Sequence, residues 1–193
     1  MSFQNEFAVV DIIKSSGAAT LGVDALTLSI VKLERQLRRL FTHLVFQCDA
    51  FDDQSIPDLL VTLEQFGNVN VTGFIKGIDT LARFSVADMV GETYGEMRAK
   101  LKEIYKVRNK VFHGQLSGLC LEQDQLLEMG ATVRGWCELL AAGALDRVGY
   151  DGFERDSFRK SANALAVDYR LQLDSVDAYK AFIREHVAGT TRW

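Results

Sequence analysis

The sequence predicts an all-α protein: an up-down helical bundle over residues 1–143, with a small C-terminal appendage over 144–193 that packs on it. Three observations carry this reading. Leu26, Ile30, Leu33, Leu37, Leu40 and Leu44 follow one another by alternating steps of four and three, one apolar stripe along a long helix. The chain contains a single proline, Pro57, which suits long helices better than a loop-rich β fold. Its 193 residues, 48% hydrophobic and 25% charged, have the size and makeup of one globular domain with a real core.

The elements follow in order. Residues from Phe3 to Ile13 form a short leading helix with Phe3, Phe7, Val10 and Lys14 along one side, and "SSGAATLG" breaks it. The leucine-striped helix keeps Glu34, Arg35, Arg38 and Arg39 off its apolar face and ends near Gln47. The acidic turn with Asp49, Asp52 and Asp53 comes next, and a loop of this kind needs no metal. Ser55-Ile56-Pro57-Asp58 is a helix start, with proline near the first helical position. Leu59, Leu60, Leu63 and Phe66 supply its face, and Gly67-Asn68 stops it. "VTGFIKGIDTLARF" reads as a further helix with Phe74, Ile75, Ile78 and Leu81 inward, weakened by its glycines.

A second long helix runs from about Gly91 to His113. A third, after "GQLSG", carries Leu126, Leu127, Met129, Val133, Trp136, Leu139 and Leu140, with Trp136 expected in the core. After Gly143 the composition turns polar and aromatic, and "SVDAYKAFIREHV" closes as a small helix with Tyr179, Phe182 and Ile183. "VNVTGF" and "LAVDYRLQL" alternate enough to be short strands, the minor β alternative. His43 and His186 read as ordinary surface or boundary residues.

A net charge of −4 excludes a protein coated in basic surface for DNA and leaves room for a local basic patch. Cys48, Cys120 and Cys137 are far apart, without a CxxC or Cys/His cluster. That argues against a disulfide framework or a structural zinc site and for reduced core thiols in a cytoplasmic protein. The first residues carry Glu6 and Asp11 without a basic start, unlike a signal peptide. No apolar run approaches the roughly 20 residues that span a bilayer, so no membrane partner is expected.

The informative stretch is "KVRNKVFHG", residues 106–114. On a helical wheel Leu101, Ile104, Tyr105, Val111 and Phe112 share one face, with Val107 at its edge and Arg108 in its middle. A charge there is costly unless it is paired, or unless the face lines a groove or a subunit interface. Asn109 and His113 stack in one row beside it, four residues apart. His113 precedes Gly114, the expected terminator. The helix C-terminus favours imidazolium, whereas Lys100, Lys102, Lys106 and Lys110 push toward neutral imidazole. Such a balance suits proton transfer near neutral pH.

An arginine, an amide and a histidine beside a basic ridge suit a phosphodiester. Arginine holds nonbridging oxygens and developing charge, and histidine moves a proton. Arg108, Asn109 and His113 are the catalytic candidates, Lys102, Lys106 and Lys110 the substrate-binding ones, and Glu34 the supporting acid. Bland alternatives stand beside these. Arg108 fits an ion pair with Glu34 or Glu103, His113 a helix C-cap, Glu34 a surface pair with Arg38, and the lysines a solvated face.

"RNKVFH", with the leading "LKEIYKV" and the trailing Gly114, resembles the third-helix motif of HEPN domains: arginine, a polar residue, and a histidine four to six residues on. "LSIVKLERQLRRLF" is similar to the family's first long helix, and the likeness spans residues 20–143. It implies a homodimer whose two motifs meet in a shared cleft, and in many members a metal-independent endoribonuclease that needs no cofactor. The chemistry it implies is attack by the ribose 2′-OH on the adjacent phosphate, which spares DNA. His113 would be general base or acid, Arg108 would stabilise charge, and Asn109 would orient substrate or Arg108. RNA is the implied substrate, and a toxin or phage-defence role, with an antitoxin or regulatory protein as partner, is the implied setting. One departure is Gln115, where some toxins of the family carry a tyrosine that a nucleotidyltransferase antitoxin modifies. The alternative is a non-catalytic HEPN-like dimer that binds RNA, a nucleotide or a protein. A third reading is a plain helical regulator with an exposed basic ridge.

Overall fold

The computed structural model describes residues 3–112, 121–161, 169–191 and 193. They form eight α-helices: α1 (Phe3–Lys14), α2 (Leu21–Gln47), α3 (Ile56–Glu64), α4 (Val71–Leu81), α5 (Val86–Val90), α6 (Tyr94–Phe112), α7 (Gln123–Val148) and α8 (Val176–Phe182). The protein is an all-α bundle. The only β pairing among the described residues is an isolated bridge between Ala82 and Tyr169.

The leucine stripe is the reason α2 sits at the centre. Leu26, Ile30, Leu33, Leu37, Leu40 and Leu44 are each at most 3% exposed. Burying side chains of this size stabilises the fold by roughly 1.5–3 kcal/mol apiece before entropy is counted. The main partner is α7. Gly22 lies against Gln123, Gly130 against Ser29, and Gln36 bonds to Cys137, so the two helices run in the same direction. Trp136 of α7 is fully buried, with Tyr94 of α6 tilted against it at 5.3 Å. Cys48 and Cys137 are buried free thiols, and Cys120 lies outside the described residues.

Helix α7 runs through Gly143 to Val148, because this glycine is a contact point. A Cβ there would lie 1.9 Å from the Met89 carbonyl oxygen, so only glycine lets α5 rest on α7. The glycines of α4 do the same work. A Cβ on Gly73 would lie 2.2 Å from the Val187 carbonyl oxygen, and one on Gly77 would lie 2.9 Å from the Val187 side chain. They admit α8 and the π-helical turn Ile183–Val187 that continues it. Phe41 of α2 fills the junction, stacked on Tyr179 and Phe182.

The stretch "VNVTGF" is therefore helical from Val71 and not a strand. Asn70 decides this: its Oδ1 accepts the Gly73 N–H at 3.1 Å, an N-cap, and its Nδ2 donates to the Thr190 carbonyl at 3.0 Å. Asn70→Ala is expected to lower stability by about 1–2 kcal/mol, in chemical denaturation, since it removes a cap and a tether together. Two other boundaries shift. Helix α3 ends at Glu64, three residues before Gly67, and leaves Leu60 44% exposed. Helix α5, which periodicity does not reveal, starts at a reciprocal cap in which the Ser85 hydroxyl accepts the Asp88 N–H and the Asp88 carboxylate accepts the Ser85 N–H.

The segment after α7 is held by a polar row on α2. Gln36 donates to the carbonyls of Cys137 and Asp151, each at 3.0 Å. Arg39 donates to the carbonyls of Phe153 and Arg155. Gln47 donates to the Arg159 carbonyl and accepts the Ser161 N–H. Between them His43 is fully buried, a correction to its reading as a surface or boundary residue. Its Nδ1 lies 3.1 Å from the Ser157 carbonyl, which accepts only if that nitrogen carries the proton. Positions 36, 39, 43 and 47 recur at helical spacing, so this row is a second stripe that reads backbone where the first reads side chains.

Candidate functional site

Helix α6 buries Leu101, Ile104, Tyr105 and Val107. Val107, expected at the edge, is core. Arg108 follows on the boundary, its side chain 31% exposed, so it does not enter the dry interior. It lines an open cavity of about 400 Å³ between α6, α2, the start of α4 and the C-terminal tail.

The guanidinium is bracketed. Its Nη1 donates to Asn109 Oδ1 at 3.1 Å, and its Nη2 lies 3.8 Å from Glu34 Oε1. The Tyr105 ring is 6.0 Å from its carbon. The Tyr105 hydroxyl in turn donates to the same Glu34 oxygen at 3.3 Å. Arg108, Asn109 and Glu34 therefore share one place, although α2 and α6 supply them from positions 74 residues apart. The ion pair is long and about a third exposed on both sides, so it contributes less than about 1 kcal/mol. Together with the Asn109 bond it helps to orient the Arg108 guanidinium. Burial, followed by the Glu34 charge, raises the Tyr105 pKa well above that of a free phenol. Tyr105 is thus a donor near neutral pH and not a base.

The lysine candidates lie elsewhere. Lys106 is exposed and pairs with Glu103 at 2.8 Å. Lys110 is exposed, and neither it nor Lys106 lines this cavity. Lys102 lines a neighbouring hollow together with Arg98. His113, Gly114 and Gln115 lie outside the described residues. Among the described residues, no group of three or more His, Cys, Asp or Glu side chains is arranged to hold a metal. Nor is any of their helices long and apolar enough to cross a membrane.

No family model, curated protein or solved structure matches this chain.

The cations that do line the cavity with Arg108 are Arg35 and Arg38 of α2. Both were visible in the sequence only as residues off the leucine stripe. Arg35 also binds the buried Glu6 carboxylate at 2.5 Å, as does Lys32 at 2.7 Å, which ties α1 to α2. The Arg38 guanidinium carbon lies over the Phe74 ring, 5.5 Å from its centroid. Trp193, from the tail, forms another wall and meets Tyr105 edge-on at 5.4 Å. No local pattern marks Trp193 as a site residue, since it is brought in from far along the chain. Arginine edges beside aromatic and aliphatic walls suit an anion with an attached planar group.

Proposed function

We propose that this chain is an endoribonuclease of HEPN type, acting as a homodimer. The observation that carries the reading is the setting of Arg108. It lines a cavity beside Asn109, within reach of Glu34, where a core position would have left a costly buried charge. The motif "RNKVFH" supplies the remaining support. In the reaction the 2′-oxygen bonds to phosphorus and the bond to the 5′-oxygen breaks. The 2′-OH proton passes to a base and the leaving oxygen takes one up, giving a 2′,3′-cyclic phosphate and a 5′-hydroxyl. Arg108 would hold the phosphoryl oxygens as charge builds, with its guanidinium kept in place by Asn109. His113 would carry the proton. The role fits a toxin or phage-defence effector whose control comes from a second protein.

The test is RNA cleavage in EDTA by wild type, Arg108→Ala and His113→Ala, each checked for dimer mass. Wild type is expected to yield cyclic-phosphate ends, and each substitution to cut the rate on the order of 10²–10³-fold with the dimer intact. An inert wild-type dimer would leave the non-catalytic binding dimer as the better reading. A wild-type monomer would remove the HEPN assignment itself.

A further inference from the structure

The Arg108 cavity does not end at the C-terminal tail. A second hollow of about 580 Å³ lies beyond it, and Thr72 and Trp193 line both. Its far side carries Arg98 and Lys102, earlier on the same helix as Arg108. At 1.5 Å per residue they lie roughly 15 and 9 Å from Arg108 along the axis.

Charge is concentrated here against the trend of the chain. Among the described residues, Arg35, Arg38, Arg98, Lys102 and Arg108 line the two hollows, and Glu34 is the one acid that does. The whole chain has 22 basic and 26 acidic residues. The guanidinium of Arg38 lies over the Phe74 ring at 5.5 Å and that of Arg98 over the Tyr94 ring at 5.8 Å. A guanidinium held over a ring by cation–π attraction keeps its charge and can still turn N–H groups toward phosphate oxygens. Trp193 stands between the two groups of cations. The chain leading toward it is anchored at Val187 and Thr190, where Gly73 admits the one and Asn70 holds the carbonyl of the other.

We propose that the two hollows are one track for a single-stranded nucleic acid. Phosphates would bind at Arg38 and Arg108 on one side and at Arg98 and Lys102 on the other, and a base would stack on Trp193 between them. An unpaired base can stack on an indole, whereas a base inside a duplex cannot. A mononucleotide would fill only one end. The inference rests on the ribonuclease reading for its substrate, and it names residues outside the RNKVFH motif.

The experiment uses the full chain and a short single-stranded oligothymidylate. DNA lacks the 2′-OH and survives the measurement uncut. The protein has two tryptophans, and Trp136 is fully buried, so quenching of intrinsic fluorescence reports on Trp193. Quenching on binding is expected. Polarisation of a labelled oligomer should show Trp193→Ala weakening the affinity on the order of tenfold. The exposed pair Arg98→Gln/Lys102→Gln, which leaves the core untouched, should lower the slope of log affinity against log salt by roughly one.

Absence of binding at low salt would overturn the track. So would equal affinity for a duplex, or binding indifferent to both variants. The two proposals fail separately. A chain that binds as described but never cuts RNA keeps the track and loses the ribonuclease. A chain that cuts RNA with binding blind to Trp193, Arg98 and Lys102 keeps the ribonuclease and loses the track.

Discussion

Gly143→Ala is expected to destabilise the protein by about 2–3 kcal/mol and Gly135→Ala to stabilise it by up to about 1 kcal/mol, though both exchange a helical glycine for the best helix former. The difference lies in what the new methyl meets. At Gly135 it would touch only the Met97 methyl at 3.7 Å, an ordinary contact. Less backbone freedom in the unfolded chain then leaves a net gain. At Gly143 it would sit 1.9 Å from the Met89 carbonyl oxygen and 2.6 Å from its carbon. Backbone cannot rotate aside as a side chain can, so α5 must lift off α7. Overpacking then outweighs the propensity gain. At roughly 2–4 °C per kcal/mol for a chain of this size, melting should fall by about 4–12 °C for Gly143→Ala. Equal melting shifts in the two variants would show that the contact between α5 and α7 is not tight.

The second large effect is acid destabilisation through His43. Burial lowers its pKa from 6.5 to about 4, and the Arg155 charge adds to this. The Ser157 and Val148 carbonyls pull the other way without restoring it. The Tyr150 ring covers the imidazole at 4.6 Å. Between these pKa values the unfolded chain binds a proton that the folded one refuses, so stability falls as pH drops through 6.5 and levels off below about 4. Linkage gives a loss of about 2 kcal/mol between pH 7 and pH 5 from this residue. Urea unfolding of wild type and His43→Gln across that range isolates it, because all other groups titrate alike in both. The variant starts less stable at pH 7, having lost the bond to Ser157, and should show the shallower decline. Parallel curves would mean that His43 is solvated in the folded state.

The same residue shows how far sequence reached. Periodicity of 3.6 identified α2, α6 and α7 and most of their buried faces, because a helix repeats its environment and the pattern is local. It also placed Trp136 in the core and gathered Tyr179, Phe182 and Ile183 on a closing helix, and all four are buried. The polar row Gln36, Arg39, His43 and Gln47 has the same period, but only His43 was read as surface or boundary and Arg39 as off the stripe, and the row as such was not seen. A buried polar side chain is affordable only if its partners exist, and here they are carbonyls more than 100 residues away. Nothing in the local sequence announces them. The caps Asn70 and Ser85, in contrast, bond within three residues of themselves, a local signal that the reading of periodicity alone passed over.

At the candidate site the division is similar. The sequence by itself determined that Arg108 is anomalous on its helix, that Asn109 adjoins it, and that Glu34 is a reachable acid. Only the tertiary structure decided that Glu34, Tyr105 and Arg108 meet, that Arg35 and Arg38 join them while Lys106 and Lys110 do not, and that Trp193 stands at the wall. The physical reason is that a helix fixes neighbours within a turn of one another. A cavity, in contrast, is the space left where separate elements fail to touch, and it depends on contacts as remote as Gly73 against Val187.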